Sequence, residues 1–215
     1  MIGTAPAGRP NPVLGIVSLA AAAALLLPAD AKAQQDRRQT GPGGSADVQL
    51  VEVYLSENAM QVLYGRSLDI GELGRNDARV GIFINEDRDL IGIADMLIEV
   101  GEQRRRPNWS LEIGPRAYGA LMSVENQDVF SIGLGGKLSY RLGRNRAAGI
   151  SLTAFYAPDI VTFGNADNIK DGAIRLEARV SDTTDLFIGY RIFEFDLDVD
   201  REVDDNMHLG ILHRF

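Results

Sequence analysis

The sequence predicts an all-β chain in which residues 47–215 form a transmembrane, antiparallel, up-and-down β-barrel of about ten strands, with eight as the competing count. Three observations predict it. Period-two alternation of apolar and polar residues recurs between turn-forming clusters. No apolar run from Asp47 onward approaches the length of a membrane helix. The connections alternate long and short, as they must in a barrel that crosses a membrane on hairpins.

The first 33 residues differ from the rest. Arg9 precedes an uncharged run from Val13 to Leu27, and Ala31-Lys32-Ala33 offers small residues around a cleavage point, which is the pattern of a secretory signal peptide cut after Ala33. The run is 15 residues long, short of the roughly 20 that cross a bilayer core as a helix. Residues 34–46, with Gly41-Pro42-Gly43-Gly44, hold too few apolar groups to offset the entropy of ordering them and read as a flexible periplasmic leader.

Strands are expected over Asp47–Ser56, Met60–Asp69, Ala78–Ile84, Leu90–Val100 and Asn108–Ala120 in the first half. Leu50 and Val51 break the alternation there, and 90–100 is apolar on both faces, which keeps eight strands in contention. The clearest strand is Asp128–Leu142, with Phe130, Ile132, Leu134, Leu138, Tyr140 and Leu142 on one face and Ser131, Gly133, Gly135, Lys137, Ser139 and Arg141 on the other. The same dyad returns over Ala148–Tyr156, Ile174–Val180, Leu186–Ile192 and Asn206–Phe215. Counting back from Phe215, the longer connections Glu194–Asp205 and Pro158–Lys170 fall on the outer side, and the short turns Ser181–Thr183 and Gly143–Arg146 on the inner side.

Met207, Leu209, Ile211 and Phe215 share one face of the last strand, and this resembles the C-terminal signal that outer-membrane barrels present to their assembly machinery, with Leu209, Ile211 and Phe215 as its core. His213 departs from the usual apolar residue at its position. From about Val80 to Phe215 the chain also resembles the YfaZ-type outer-membrane proteins of Gram-negative bacteria. The likeness rests on Ser131-Ile132-Gly133-Leu134-Gly135-Gly136-Lys137-Leu138, on Phe155-Tyr156-Ala157-Pro158-Asp159, on Gly189-Tyr190-Arg191 and on the aromatic terminus. It implies location and fold, and brings no catalytic residues with it.

Composition narrows the chemistry. The chain has no cysteine, which rules out a disulfide framework, a thiol nucleophile, thiolate zinc and a lipid-bearing cysteine. Loss of Arg9, Lys32 and Asp30 with the signal leaves 20 basic and 29 acidic residues, a net charge of −9 that repels nucleic acid. The expected partners are outer-membrane lipid, lipopolysaccharide and the barrel assembly machinery.

Several motifs invite chemical readings. Asp196, Asp198 and Asp200 have calcium-loop spacing, but Arg201 stands where the turn needs glycine and Met207 where a bidentate glutamate belongs. A projecting strand pair with its acidic face in water is the better reading of residues 194–205. Gly133, Gly135, Gly136 and Lys137 lack the spacing of a phosphate loop and read as glycines that relieve crowding in a curved wall. Gln103-Arg104-Arg105-Arg106 reads as a solvated turn. His208, with Asp204 and Asp205 close in sequence, could form a carboxylate–histidine dyad only if folding brought them within hydrogen-bond reach. No metal or cofactor site is expected.

If the apolar faces meet lipid, the opposite faces carry Arg116, Lys137, Arg141, Arg175, Arg179 and Arg191 inward, with Glu112, Glu177, Asp95 and Glu99 to pair with them. The expected function is an integral outer-membrane barrel, structural or a narrow, closed pore, with a basic excess in its lumen that biases any leak toward anions. Two alternatives stay open at this level: a surface-exposed barrel hydrolase using His208, and a soluble periplasmic β-sandwich that binds a ligand.

Overall fold

Alternating side chains along a strand point to opposite faces of a sheet, so a chain of such strands can close only with one face sealed inside. The computed structural model describes residues 48–69, 75–100, 108–123, 127–143, 146–164, 166–197 and 201–215. The expected signal over 1–33, the leader over 34–46, the basic turn 103–106, and Asp198 and Asp200 lie outside the described residues.

Among the described residues the strands are β1 (Gln49–Ser56), β2 (Ala59–Asp69), β3 (Arg75–Asn85), β4 (Leu90–Glu99), β5 (Trp109–Met122), β6 (Gln127–Leu142), β7 (Ala148–Ala157), β8 (Thr162–Gly164), β9 (Ala166–Arg179), β10 (Thr184–Leu197) and β11 (Arg201–Arg214). Each long strand pairs antiparallel with its neighbours. β1 meets β11 through seven rungs, from Leu50↔Arg214 to Ser56↔His208, which closes the ring. Ten long strands therefore form one up-and-down barrel. The two-sheet sandwich is thereby excluded, because every long strand has a hydrogen-bonded partner on both edges and, among the described residues, all strands belong to one sheet.

β8 sits outside the simple order. β7 pairs directly with β9, and its pairing with β6 ends at Leu134↔Tyr156. The upper part of β6 would be left as an open edge on that side. β8 covers it by pairing Thr162, Phe163 and Gly164 with Ser131, Phe130 and Val129. Gly164 has φ +102°, and a Cβ there would stand 2.2 Å from the Asp128 carbonyl oxygen, so this rung requires glycine.

The wall also rises further than the sequence predicts. β9 begins at Ala166 rather than Ile174, β10 runs to Leu197 and β11 starts at Arg201. Most of the expected outer connections are thus strand. The described part of the acidic stretch continues the wall, with rungs up to Phe195↔Arg201 on one side and Leu197↔Ala166 on the other, and Asp204 is buried instead of facing water. A bulge at Phe193/Glu194 leaves Val203 as an extra residue, so Val203 and Asp204 both turn inward in succession.

The outer surface divides sharply. Leu134, Leu152, Ile174, Leu176, Ile188 and Leu209 are exposed on it, together with many other apolar side chains. Polar groups bound this belt at both ends. At the end where the β1–β2 and β10–β11 hairpins turn, the hairpin end, Lys170 pairs with Glu194 at 3.6 Å and Tyr190 donates to Asp205. At the opposite end, which holds Val48 and Phe215, the terminal end, Thr184 bonds the His213 ring at 3.0 Å. Trp109 stacks against Tyr140 there, with ring centroids 4.5 Å apart.

Candidate functional site: the barrel lumen

The inward face carries three successive layers. At the hairpin end it is aromatic and dry. Tyr54, Phe83, Tyr118, Phe193 and Phe195 are each no more than 1% exposed, and Ile91, Ile169 and Val203 fill the gaps between them. Phe193 meets Phe83 edge-on at 5.5 Å and Phe195 at 5.3 Å. These rings occupy the space a channel would need.

Below the rings lies a bar of charge-assisted hydrogen bonds. Arg79 donates to both oxygens of Asp95 at 2.8 and 2.9 Å, and Arg116 donates to the same carboxylate at 2.6 and 3.0 Å. The remaining terminal nitrogen of Arg116 reaches Asp171 at 2.7 Å. Asp171 also accepts from Arg191 at 3.0 and 3.1 Å and from Tyr118 at 3.2 Å, and Arg191 goes on to donate to Gln61 at 2.8 Å. β5 and β9 are not neighbours in the wall, and neither are β10 and β2. The bar therefore crosses the lumen instead of following it. Arg175 and Glu52, at 2.8 Å, make a second crossing between β9 and β1.

Stacking reinforces the bar: the Arg116 guanidinium lies 3.7 Å from the centre of the Phe155 ring and that of Arg191 lies 4.5 Å from Phe193. Two inward glycines make room for such bulk. A Cβ on Gly210 would come within 2.2 Å of the Phe187 ring, and one on Gly135 within 2.6 Å of Phe155.

The third layer opens at the terminal end. A cavity of about 550 Å³ is lined by Arg79 and Leu97 at its floor and reaches Val48, Asn108, Arg146 and Asp182 at the strand ends. Its wall is divided by charge. Asp77, Glu99 and Glu112 stand on β3, β4 and β5, while Lys137, Arg141, Arg179 and Arg214 stand on β6, β9 and β11. Glu177 accepts from Ser151 at 2.8 Å and pairs with Arg141 at 3.1 Å and Lys137 at 3.5 Å. Asp185 receives three arginines, Arg214 at 2.9 Å, Arg179 at 3.3 Å and Arg141 at 3.4 Å.

The eight residues named from sequence as inward charges occupy two layers. Arg116, Arg175 and Arg191 belong to the crossing layer, Glu112, Lys137, Arg141 and Arg179 line the cavity, and Glu177 pairs with Lys137 and Arg141 behind them. The expected basic excess is absent, because Glu52, Asp171, Asp185 and Asp204 also turn inward and take partners among these bases and Tyr54. Sequence reasoning also missed Arg79 and Arg214. The alternation that marks Arg191 as inward assigns the same face to Phe193 and Phe195, and that signal was available.

His208 is buried, with Tyr54 at a ring separation of 4.5 Å and Phe187 at 5.9 Å. Folding does not bring its sequence neighbours to it. Asp204 accepts from Tyr54, from Ser56 at 3.1 Å and from Asn206 at 3.1 Å, while Asp205 lies on the outer face with Tyr190. Leu209 and Ile211 are exposed on the outer face, and Phe215 pairs with Gln49 through two 3.0 Å backbone bonds. In the acidic stretch, Asp196 accepts from Asn168 at 2.6 Å.

The fold is a closed antiparallel β-barrel whose inward face carries buried rings, crossing ion pairs and a cavity. No protein-family model matches the chain, and no curated protein matches it. Among solved structures it is similar to the outer membrane channel DcaP of Acinetobacter baumannii, at 11% identity and a TM-score of 0.39 over 82% of this chain. The chain spans 60% of the length of that channel. It is also similar to a chain solved in work on the in-meso crystallization of membrane proteins, at 10% identity and a TM-score of 0.42 over 78% of this chain and 83% of that one.

Proposed function

We propose that this chain is an integral outer-membrane barrel of closed lumen, structural in role, with its hairpin end outside the cell and its cavity facing the periplasm. The observation that carries the reading is the outer belt of exposed leucine and isoleucine, which is free of charge between Lys170–Glu194 at one end and Thr184–His213 at the other. In water such a continuous apolar surface would drive association, whereas in a bilayer it is the surface that lipid solvates. Among the described residues no helix is long and apolar enough to cross a membrane. Aromatic side chains at the belt margins, Trp109 and Tyr140 below and Phe130 and Phe163 above, suit the two interfaces. The kinship with YfaZ-type proteins, the lipopolysaccharide contact and delivery by the barrel assembly machinery belong to this same reading.

Topology and closure are testable together. The chain has no cysteine, so single replacements report cleanly. Glu86→Cys, in the β3–β4 turn, should react with an impermeant thiol reagent on intact cells, and Asp182→Cys, in the β9–β10 turn, should not. Reaction at Asp182 alone would invert the barrel. In planar bilayers the unmodified protein should carry almost no steady current, and large stable channels would refute the closed lumen.

A further inference from the structure

We propose that the cavity at the terminal end is a binding site for a small, water-soluble organic anion carrying a phosphate or carboxylate group, and that Arg141, Arg179 and Arg214 hold that group. Charge is locally mismatched around Asp185. Asp185 is buried and receives three guanidinium groups within 2.9 to 3.4 Å, although one carboxylate neutralises only one of them. Glu177 lies within 3.1 Å of Arg141, but it is also the partner of Lys137. At the mouth of the same cavity Arg146 and Asp182 add one charge of each sign, so the excess rests on Lys137, Arg141, Arg179 and Arg214 against Glu177 and Asp185. This sector of the wall keeps a local positive excess, in contrast to the crossing layer, where carboxylates and bases alternate.

Donor supply points the same way. A guanidinium has five N–H donors, and three of them around one carboxylate offer many more donors than its two oxygens can accept. The Nη1 of Arg141, beside Gly149 in the wall, is buried and has no hydrogen-bond partner within the protein, so Arg141 holds a spare donor that a turn of its side chain would release. Groups of this kind select oxyanions, because planar N–H forks match the oxygens of phosphate and carboxylate in pairs. The arginines are also free to adapt: the side chains of Arg141, Arg179 and Arg214 keep 21%, 39% and 26% exposure, whereas those of Arg116 and Arg191 keep 7% and 3%.

Volume sets the size of the ligand. At about 550 Å³ the cavity is far larger than a bare phosphate and falls within the range of small-molecule pockets. The remainder of the ligand would lie against Ser110, Ser139 and Glu112, which ask for hydroxyl or amine groups rather than alkyl chains. The barrel wall separates the cavity from the apolar outer belt, so the site takes its ligand from the aqueous end, and Leu50, Leu97 and Leu212 beside the charges accommodate a short carbon skeleton. None of this depends on which side of a membrane the cavity faces, so it can fail while the proposed topology stands.

Trp109, the only tryptophan in the chain, faces the outer belt, so binding is read by heat. Full-length protein, folded in a non-ionic detergent, would be titrated by isothermal calorimetry at low ionic strength with glycerol 3-phosphate, citrate and inorganic phosphate. The expected result is saturable, one-site binding of at least one organic anion. Arg179→Gln should weaken it about fivefold or more, the scale of one lost charge-assisted bond. Asp185→Asn should tighten it severalfold, since the internal competitor for the arginines is gone. Lys170→Gln, at the other end of the barrel, should leave it unchanged. Arg179 is partly exposed and its removal leaves Asp185 two partners, so that variant folds even if Asp185→Asn does not. Binding that fails to saturate, or that Arg179→Gln leaves intact, would overturn the proposal.

Discussion

The two ends of the lumen solve the same geometric problem in opposite ways. Ten strands enclose slightly more space than the eight whose side chains can fill a barrel, so something must occupy the surplus. At the hairpin end Phe83, Phe193 and Phe195 fill it with rings and exclude water. At the terminal end long charged side chains line the wall and leave a cavity of about 550 Å³. Inward orientation therefore does not dictate polarity: a barrel can be hydrophobic outside and hydrophobic inside at one level, and wet inside at the next. The crossing layer of Asp95, Arg116, Asp171 and Arg191 is the boundary between the two regimes.

The contrast predicts how each layer responds to damage. The largest effect is expected at the boundary. Asp171→Ala leaves the buried Arg191 without a carboxylate, with Gln61 alone, and leaves Arg116 to Asp95, and loss of one partner from a buried network costs about 3–5 kcal/mol. Urea unfolding followed by gel mobility should show a correspondingly large drop in midpoint, and a drop under 1 kcal/mol would mean that water already reaches this layer. Phe193→Ala comes next. It opens a void among Phe83, Tyr118 and Phe195 and should cost about 3 kcal/mol. Because the crossing layer still blocks the lumen, this variant should remain non-conducting. Phe193→Ala combined with Arg191→Ala should pass measurable current in planar bilayers if these two layers are the seal.

On the outer surface, Leu176→Arg should destabilise the lipid-embedded barrel by about 2–4 kcal/mol. The same substitution should be close to neutral if the belt meets only water. The smallest effect belongs to the vestibule. Arg179→Ala removes one of three guanidinium groups on Asp185, is more than one-third exposed, and should cost under about 1 kcal/mol. A cost as large as that of Asp171→Ala would erase the distinction between the ends.

The outer face is legible in the sequence and the inner face only in part, for a physical reason. Every outward residue of the belt meets one environment, so Phe130, Ile132 and Leu134 or Ile174, Leu176 and Ile188 repeat without interruption, and the strands follow. Inward residues meet an environment that changes with depth. Equating inward with polar finds Arg175, Arg179 and Arg191 but passes over Phe187, Phe193 and Phe195 in the same register. The missed acidic partners sit where the alternation is weakest: Glu52 beside the Leu50–Val51 break, Asp171 ahead of the expected start at Ile174, and Asp185 at a turn. Pairing across the lumen is set by closure and tilt of the barrel, which no single strand encodes.

That dependence on closure bears on how the barrel is made. Glu52 and Arg175 lie 123 residues apart, Gln61 and Arg191 130, and Tyr54 and Asp204 150. Such contacts form only after the first and last strands have met, since the long intervening chain must be ordered before they yield any return. Until then the arginines and carboxylates are held apart and must stay hydrated. If the proposed membrane placement holds, an inserted but unclosed intermediate would be a wet slot, and expulsion of that water as β1 zips to β11 would be the step that seals it.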